Sequence, residues 1–284
     1  MTANLKEAVL AALAPLAADM AAVEKIIAAE MESDIPRVKE IGRYITSAGG
    51  KRMRPALLIL MARAMGDTSD NAPYFGAVIE ILHTATLMHD DVVDEGKMRR
   101  GRETANARWD NNQAVLVGDF LYTRSFQMMI RQGNLGVMQA LADAANRLSE
   151  GEVLQLTNAG DPETTEERYF AVIERKTACL FEAAAHMAAA FSGAPKAYED
   201  ACAQYALQKT TGADRDLIVD AILKGDGDFE AVSRIVKASG AIEGCYERAL
   251  LEVERGKNAL NALPAGQFKN SLIKFLSFAV NRDR

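Results

Sequence analysis

The feature of this 284-residue sequence that most restricts its fold is a long stretch without proline, residues 74–161. Proline removes a backbone donor and breaks helices, so a stretch without it can form long, uninterrupted helices. Apolar residues recur there at steps of three and four: Val78, Ile81, Leu82, Ala85 and Met88. Because this period places them along one side of a helix, the stretch predicts long helices and not strands.

The rest of the chain extends this prediction. Alanine, the best helix former, is abundant, whereas the whole sequence has only 7 prolines and 6% aromatic residues. We count about ten helical segments, separated by clusters of glycine and polar residues, and find no strand-like alternation and no repeat. We therefore predict an all-α protein in which residues 1–284 form a single large helical bundle around a central cavity.

Charge and cysteine content exclude several classes of protein. A net charge of −6 and a pI of about 5.3 argue against nonspecific nucleic-acid binding, which needs a basic surface. No run of 18 uncharged apolar residues occurs, so no membrane span is predicted.

Three isolated cysteines, Cys179, Cys202 and Cys245, indicate a reducing compartment. The N-terminus resembles no targeting signal, and the expected location is cytoplasmic.

Three aspartates lie at the end of an otherwise apolar helical segment, in "LMHDDVVDEG" (87–96). Asp90 and Asp94 are four residues apart, which places them on one helical face with Cβ atoms about 6 Å apart. Such carboxylates repel each other unless a cation lies between them, and Mg²⁺ commonly binds one or two carboxylates together with phosphate oxygens. The alternative is an acidic helix end that only faces solvent.

Two basic segments accompany these acids. "KMRRG" (97–101) follows them within one loop, and "GGKRMRP" (49–55) places Lys51, Arg52 and Arg54 on a turn that begins with two glycines. A basic turn alone is usually a solvated loop. Carboxylates that bind a metal, together with converging Lys and Arg side chains, are what two diphosphate groups would need.

At this point the sequence resembles a known family, the trans-type prenyl diphosphate synthases, and within it the bacterial long-chain polyprenyl enzymes that make quinone side chains. Five segments match in order and spacing: "GGKRMRP", "HTATLMHDDVVDEGKMRRGRETAN", "LVGDFLYTRSFQ", "EGEVLQL" and "RKTACLF". The resemblance covers residues 5–208 well and returns in the C-terminal helices. It implies the isoprenoid synthase fold, a homodimer, Mg²⁺ as the cofactor, and isopentenyl diphosphate and an allylic prenyl diphosphate as substrates.

The resemblance also implies a role for individual residues. Asp90, Asp91 and Asp94 are the expected metal-site residues: Asp90 and Asp94 would bind the Mg²⁺ ions on the allylic diphosphate, and Asp91 would bind metal with them or support them. Arg99 and Lys176 would contact that diphosphate, and Asp90, Asp94, Arg99 and Lys176 are the expected catalytic residues. The residues expected to bind isopentenyl diphosphate are Lys51, Arg54, His83 and Arg100. Thr177 would lie beside the allylic diphosphate and Gln155 would face the reacting chain, although both could equally serve helix packing.

The expected reaction begins when an allylic C–O bond ionises, so metals and cations must stabilise the departing diphosphate. The remaining carbocation requires a dry, apolar cavity. No nucleophilic serine or cysteine is needed, and the sequence has no G-x-S-x-G or Cys–His candidate. His89 and His186 are expected to serve packing or local hydrogen bonds.

Product length is expected to depend on Ala85, with Thr86 beside it, a little over one turn before Asp90. The resemblance implies that short-chain enzymes carry a bulky aromatic residue here as the floor of the product cavity. Alanine would leave the floor open and allow a long product. The alternative is that Ala85 only permits close helix packing.

The resemblance fails after Gln208. A second aspartate-rich motif should follow "CAQYALQ" (202–208), but the next residues are "KTTGADRDLIVDAI", with Asp214, Asp216 and Asp220 at other spacings. About two helices of a family member are missing near residues 208–212. Either the chain has lost them, or the expressed protein has a segment that this sequence lacks. The second explanation is favoured because a deletion would expose apolar helix faces.

Two other functions are considered. A non-catalytic partner subunit of a heteromeric synthase would not need Asp90, Asp94, Arg99 and Arg100 together. A terpene cyclase also uses an aspartate-rich helix, but the basic turn for a second diphosphate would then lack a purpose. The sequence therefore favours a polyprenyl diphosphate synthase.

Overall fold

The computed structural model describes residues 13–159, 161, 164–198, 200 and 241–280. These residues contain eleven α-helices, which confirms the predicted all-α class. The helices are α1 (Ala17–Glu30), α2 (Pro36–Ser47), α3 (Met53–Ala64), α4 (Asn71–Val93), α5 (Ala105–Arg108), α6 (Asn111–Gln132), α7 (Leu135–Asn158), α8 (Glu166–Ile173), α9 (Cys179–Ser192), α10 (Ala241–Ala259) and α11 (Gln267–Val280). Short 3₁₀ turns occupy Ala14–Leu16 and Leu260–Ala262, and a π-helical segment occupies Glu174–Ala178.

Helix α4 lies inside the bundle. It packs against α6, α3 and α1, and its buried residues occur on every side of the helix axis, including Phe75, Ile79 and Leu82. A helix that is apolar all round is stable only when other helices cover it. The sequence pattern predicts apolar residues along one side of this helix, whereas the structure buries residues all round it. Its charged last turn is therefore held at the end of a rigid core element.

A second packing layer completes the bundle. Helix α9 packs against α7 and α3, and α11 covers another part of α3. The central residues of α3, from Ala56 to Ala62, are fully buried. The start of α3 and the end of α4 are therefore both fixed by the core, and these two ends carry the basic turn and the three aspartates. Within the described residues, no helix has both the length and the apolar character needed to cross a membrane.

A small β-hairpin is the part of the fold that the sequence pattern missed. Strand β1 (Met98–Arg99) pairs with β2 (Arg102–Glu103), antiparallel, with Met98 opposite Glu103. Arg100 and Gly101 form its turn with φ of 53° and 77°. Two consecutive positive φ values are typical of a tight hairpin turn. Strands of two residues are too short to produce an alternating pattern, which is why no strand was expected.

Candidate active site

The end of α4 brings carboxylates together as the sequence predicted. Asp90 is partly buried in the last turn, and Asp94 is exposed at the C-cap. The Asp94 amide donates to the Asp90 carbonyl oxygen at 2.8 Å, so the helical spacing continues to Asp94. The two side chains therefore lie on one face, next to the hairpin that follows.

The electrostatics of Asp90 favour a bound cation. Burial raises the pKa of Asp90 to about 7; Lys176 and Arg99 act to lower it, and Glu152 and Asp94 act to raise it. Buried like charges disfavour the ionised form, and a cation bound between them reverses this preference. Among the described residues, no group of three or more His, Cys, Asp or Glu side chains could hold a metal ion. Asp90 and Asp94 fit a cation of the Mg²⁺ type, which takes few protein carboxylates and completes its shell with phosphate oxygens and water.

Asp91 has a different environment from its neighbours. Its side chain is 4% exposed, and its Oδ1 accepts a hydrogen bond from Arg99 Nε at 2.7 Å. Burial raises its pKa, while the hydrogen bond and charge of Arg99 act in the opposite direction. The sequence predicts that Asp91 either binds the metal or supports Asp90 and Asp94. Its hydrogen bond to Arg99 favours the supporting role.

Three hydrogen bonds tie the residues just after the hairpin to the last turn of α4 and to the loop that follows it. Thr104 Oγ1 donates to the Gly96 carbonyl oxygen at 2.7 Å. Asn106 Nδ2 donates to the carbonyl oxygens of Asp91, at 3.0 Å, and of Gly96, at 3.1 Å. Together with the Asp91–Arg99 ion pair, these bonds fix Arg99 beside the acidic cluster.

Lys176 reaches the same cluster from the π-helical segment. Its Nζ donates to Glu152 Oε2 at 2.8 Å, and it acts electrostatically on Asp90. Single π turns within helices are common at functional sites. Gly151 allows α7 to approach this segment, because a Cβ atom there would lie 2.7 Å from the Lys176 backbone nitrogen.

Glu152 is the charged residue that sequence reasoning missed. It belongs to "EGEVLQL" and lies three residues before Gln155, hence on the same face of α7. The three-residue spacing between Glu152 and Gln155 was the sequence feature that could have placed Glu152 near the site. Its Oε1 is buried and has no hydrogen-bond partner among the described residues. Gln155 and Thr177 are partly buried, and neither side chain hydrogen-bonds to the charged groups of this part of the structure, so their roles stay predictions.

A basic cluster lies two turns earlier along α4, around His83. Arg54 is partly buried, with its guanidinium 4.7 Å from the centre of the Phe181 ring. Burial lowers the pKa of Arg54, and the charge of Arg100 adds to this effect. Arg100 Nη1 donates to the Gly49 carbonyl oxygen, and Gly50 lies so close to this guanidinium that a Cβ atom there would be 2.6 Å from Nη1. The hairpin turn and the basic turn therefore meet.

His83 completes this cluster as a neutral ring. Burial lowers its pKa well below the ordinary value, and the charges of Arg54, Arg100, Arg99 and Arg52 lower it further. A neutral imidazole among several arginines can donate a hydrogen bond to an anion without adding another charge. Arg54, His83 and Arg100 therefore lie close enough to act electrostatically on one another, and their binding of a substrate stays a prediction. Lys51 is exposed on the same turn, and its contact with a substrate stays a prediction.

The two clusters form one site along α4. His83 and Asp90 are seven residues apart, which is about two turns or roughly 10 Å along the helix. Arg99 acts electrostatically on both His83 and Asp90. The site therefore has a carboxylate end and a cationic end about two turns of α4 apart.

Ala85 and Thr86 lie between these clusters in sequence. Ala85 is 0% exposed and belongs to the hydrophobic core, and Thr86 Oγ1 donates to the His83 carbonyl oxygen at 2.9 Å. An exposure of 0% favours close packing around Ala85 in this structure. The control of product length by Ala85 and Thr86 remains a prediction.

The other two histidines make local contacts, as expected. His89 Nε2 lies 3.3 Å from the Val115 carbonyl oxygen and 3.3 Å from Asp119 Oδ1. His186 Nε2 lies 3.9 Å from Glu182 Oε1, one turn away on α9. Neither histidine is part of the charged site on α4.

Comparisons with known proteins agree with this geometry. The sequence model of the family described as "Polyprenyl synthetase" matches residues 35–211. The octaprenyl diphosphate synthase of Escherichia coli (strain K12) is 39% identical over 313 aligned positions, covering 94% of this chain and 97% of the relative. The all-trans-nonaprenyl-diphosphate synthase (geranyl-diphosphate specific) of Rhodobacter capsulatus is 37% identical, covering 95% of this chain and 97% of the relative.

Solved structures give the same result. A decaprenyl diphosphate synthase from Rhodobacter capsulatus superposes with a TM-score of 0.89 and 34% identity, covering 96% of this chain and 98% of that chain. A polyprenyl synthase from Caulobacter crescentus CB15, complexed with calcium and isoprenyl diphosphate, gives a TM-score of 0.89 and 30% identity, with the same coverage. The predicted isoprenoid synthase fold is confirmed.

The alignment with the Escherichia coli relative also contains gaps in this chain. It spans 313 positions, whereas 94% of 284 residues is about 267, so about 46 aligned positions have no residue here. The match to the family model ends at residue 211. The predicted missing segment near 208–212, and Asp214, Asp216 and Asp220, lie outside the described residues.

Proposed function

The chain belongs to the polyprenyl synthetase family and is a trans-prenyltransferase, and we propose how its residues carry out that reaction. It elongates an allylic diphosphate with isopentenyl diphosphate to give a long-chain polyprenyl diphosphate. The observation that carries the mechanism is the pair of clusters on α4: Asp90 and Asp94 at one end, and Arg54, His83 and Arg100 two turns away.

The acidic cluster is assigned to the allylic diphosphate. Asp90 and Asp94 would hold Mg²⁺, which when bound neutralises charge on the departing diphosphate. The Caulobacter polyprenyl synthase, solved with calcium and isoprenyl diphosphate, supports a divalent cation of this kind. Arg99, fixed by Asp91, and Lys176, held by Glu152 at 2.8 Å, would contact the same diphosphate. These cations are in place before the C–O bond breaks, so little reorganisation is needed as charge develops.

The basic cluster is assigned to isopentenyl diphosphate. Its diphosphate would be held by Arg54, Arg100 and Lys51, with a hydrogen bond from neutral His83. The buried Arg54 Nε has no hydrogen-bond partner among the described residues, and an anion would supply one. Held there, the double bond attacks the allylic carbon, a new C–C bond forms, and a proton is lost to restore the double bond. Gln155 and Thr177 are proposed to border the reacting groups.

Three further features belong to the proposal. We expect a homodimer, because exposed apolar side chains line α6 and the start of α7: Leu116, Ile130 and Leu135 are 66%, 62% and 78% exposed. The expected location is cytoplasmic, as the sequence indicates. The single domain over residues 1–284 is expected to lack a segment near 208–212 that the expressed protein contains. The gapped alignment and the family match that ends at residue 211 support a segment missing from this sequence, and the mass of the expressed protein decides whether that protein contains it.

Product analysis tests the proposal. The purified protein is incubated with Mg²⁺, farnesyl diphosphate and labelled isopentenyl diphosphate, and the products are sized by mass spectrometry. A ladder of polyprenyl diphosphates is expected. Product that appears only after a second subunit is added would indicate the partner-subunit alternative. A hydrocarbon formed without incorporation of isopentenyl diphosphate would indicate a terpene cyclase.

A further inference from the structure

Arg52 differs from the two cations beside it on the basic turn. Its side chain is 9% exposed, and four hydrogen bonds occupy its guanidinium group. Nε and Nη2 donate to the Glu24 carboxylate at 2.7 and 3.1 Å, and Nη1 donates to Glu80 Oε1 at 2.9 Å. Nη2 also donates to the Thr46 carbonyl oxygen at 3.1 Å. With so many of its donors engaged inside the protein, Arg52 has little capacity left for a substrate.

These partners belong to three different helices. Glu24 is on α1, Thr46 is in the last turn of α2, and Glu80 is on α4, 3% exposed. Arg52 itself is the N-cap of α3. One side chain therefore connects the start of α3 to α1, α2 and α4. A guanidinium can do this because its planar fork offers donors in several fixed directions, which an ammonium group does not.

The same residue holds an unusual backbone conformation. Arg52 has φ 46° and ψ 39°, in the left-handed region that residues other than glycine seldom adopt. Its carbonyl oxygen accepts from the Ala56 amide at 3.1 Å, which begins α3. Strained residues persist where the surrounding contacts fix them, and such residues concentrate at functional sites. Here the side-chain network of Arg52 supplies those contacts.

This conformation decides where the neighbouring cations point. Lys51 immediately precedes the left-handed residue and Arg54 lies in the first turn after it, so both directions depend on this φ, ψ pair. Glu80 lies one turn before His83 on α4, and its charge acts on both Arg54 and Arg100. The carboxylate that holds Arg52 thus also offsets the mutual repulsion of the other two arginines.

We propose that Arg52 is a positioning residue for the diphosphate of isopentenyl diphosphate. Glu24, Glu80 and the Thr46 carbonyl hold its guanidinium, and Arg52 in turn fixes the conformation of the basic turn. That conformation directs Lys51 and Arg54 toward His83 and Arg100. This inference rests on the proposed function. It differs from the sequence-based interpretation, which counted Arg52 with Lys51 and Arg54 as one of the converging cations.

The test compares Arg52→Lys with a matched control, Arg63→Lys. Arg63 lies on the same helix, with a side chain 12% exposed. Its guanidinium group also donates several hydrogen bonds: to Asp19 Oδ1 at 2.6 Å, to Asp67 Oδ1 at 3.2 Å and to the Ser69 carbonyl oxygen at 3.1 Å. It lies at the opposite end of α3 from the site, eleven residues or roughly 16 Å along the helix. Both substitutions keep the positive charge and remove the planar guanidinium group that donates in several directions.

Both variants should lose a similar amount of thermal stability, because each loses comparable buried hydrogen bonds. Only Arg52→Lys should raise the KM for isopentenyl diphosphate. We expect a rise of about tenfold, which is common when a residue that holds ligand-binding groups in place is replaced. The KM for the allylic diphosphate should change by less than about twofold in both variants. Equal KM values for isopentenyl diphosphate in the two variants, or an equal rise for both substrates in Arg52→Lys, would overturn the inference.

A milder variant keeps the inference testable if Arg52→Lys does not fold. Glu24 has a side chain about half exposed, at 51%, so Glu24→Gln should fold. It removes one charged acceptor of Arg52 and should raise the KM for isopentenyl diphosphate by about threefold, less than Arg52→Lys because Glu80 and Thr46 remain. An unchanged KM in this variant counts against the inference.

A binding measurement separates this inference from the proposed function. Titration calorimetry with inorganic diphosphate, without Mg²⁺, reports chiefly on the basic cluster, because without the metal the carboxylates Asp90 and Asp94 repel the anion from the other end of the site. Weaker binding to Arg52→Lys than to Arg63→Lys supports the positioning role even if the wild-type protein makes no polyprenyl product. Product formation by the wild type together with equal diphosphate affinity in both variants would instead retain the proposed function and reject the role of Arg52.

Discussion

Replacing Ala85 with phenylalanine tests whether the growing chain passes this point of α4. Ala85 is five residues before Asp90, which corresponds to about 7.5 Å along the axis and roughly 140° beyond a full turn. It therefore lies on the flank of the face that carries Asp90 and not directly beneath that residue. A phenyl ring there should form a floor that elongation cannot pass. The first condensation should survive, because both diphosphate subsites are untouched.

The size of the stability change distinguishes the two interpretations of Ala85. Its side chain is 0% exposed. If close-packed neighbours surround it, a phenyl ring forces them apart and costs about 1–3 kcal/mol of unfolding free energy. At about 2–4 °C per kcal/mol, the midpoint of thermal unfolding would fall by several degrees. If Ala85 borders an open product cavity, the ring enters free space and the change should stay within about 0.5 kcal/mol.

Ala77→Phe is the matched control. Ala77 is also 0% exposed on α4, and it lies eight residues earlier, about 12 Å farther from Asp90. It should destabilise the protein and leave the product ladder unchanged. The assay combines thermal unfolding with mass spectrometry of the products for wild type and both variants. The cavity interpretation fails if active Ala85→Phe makes products of wild-type length, or if it is as destabilised as Ala77→Phe.

Four further outcomes are expected. Asp90→Ala should reduce kcat by about 100-fold or more, roughly 3 kcal/mol of transition-state stabilisation, and near-normal turnover at saturating Mg²⁺ would contradict its role as a ligand. Arg54→Ala should raise the KM for isopentenyl diphosphate far more than that for the allylic substrate, whereas equal increases would argue against separate subsites. The intact mass of the expressed protein should exceed 30.8 kDa by several kilodaltons, and an active enzyme of 30.8 kDa would reject the missing segment near 208–212. Burial raises the pKa of Glu30, but ion pairs with two arginines outweigh burial and lower this pKa below its ordinary value. The ion pairs therefore stabilise the protein above the ordinary pKa, and this stability is lost as pH falls through the lowered pKa. In acid denaturation, Glu30→Gln should weaken this pH dependence.

The sequence by itself determined the helical class, the long α4 and the spacing of its charged residues. These are local properties: an apolar period near 3.6 and the lack of proline act over one or two turns, whatever the rest of the chain does. The i, i+4 relation of Asp90 and Asp94 follows directly from helix geometry. The motif order was enough to indicate a family, because each motif combines a local structure with a particular chemistry.

Only the tertiary structure separated the charged residues by role. In sequence, Arg52 and Arg54 are alike, as are Asp90 and Asp91. In the fold, Glu24 and Glu80, each 28 residues from Arg52, bind its guanidinium, whereas the buried Arg54 Nε has no hydrogen-bond partner in the part of the chain that the structure describes. Asp91 turns to Arg99 across the hairpin, while Asp90 interacts electrostatically with Lys176 and Glu152, which lie far along the chain. Helix periodicity fixes the face on which a side chain lies, but its charge partner is fixed by which helices pack together, and that depends on contacts between distant segments.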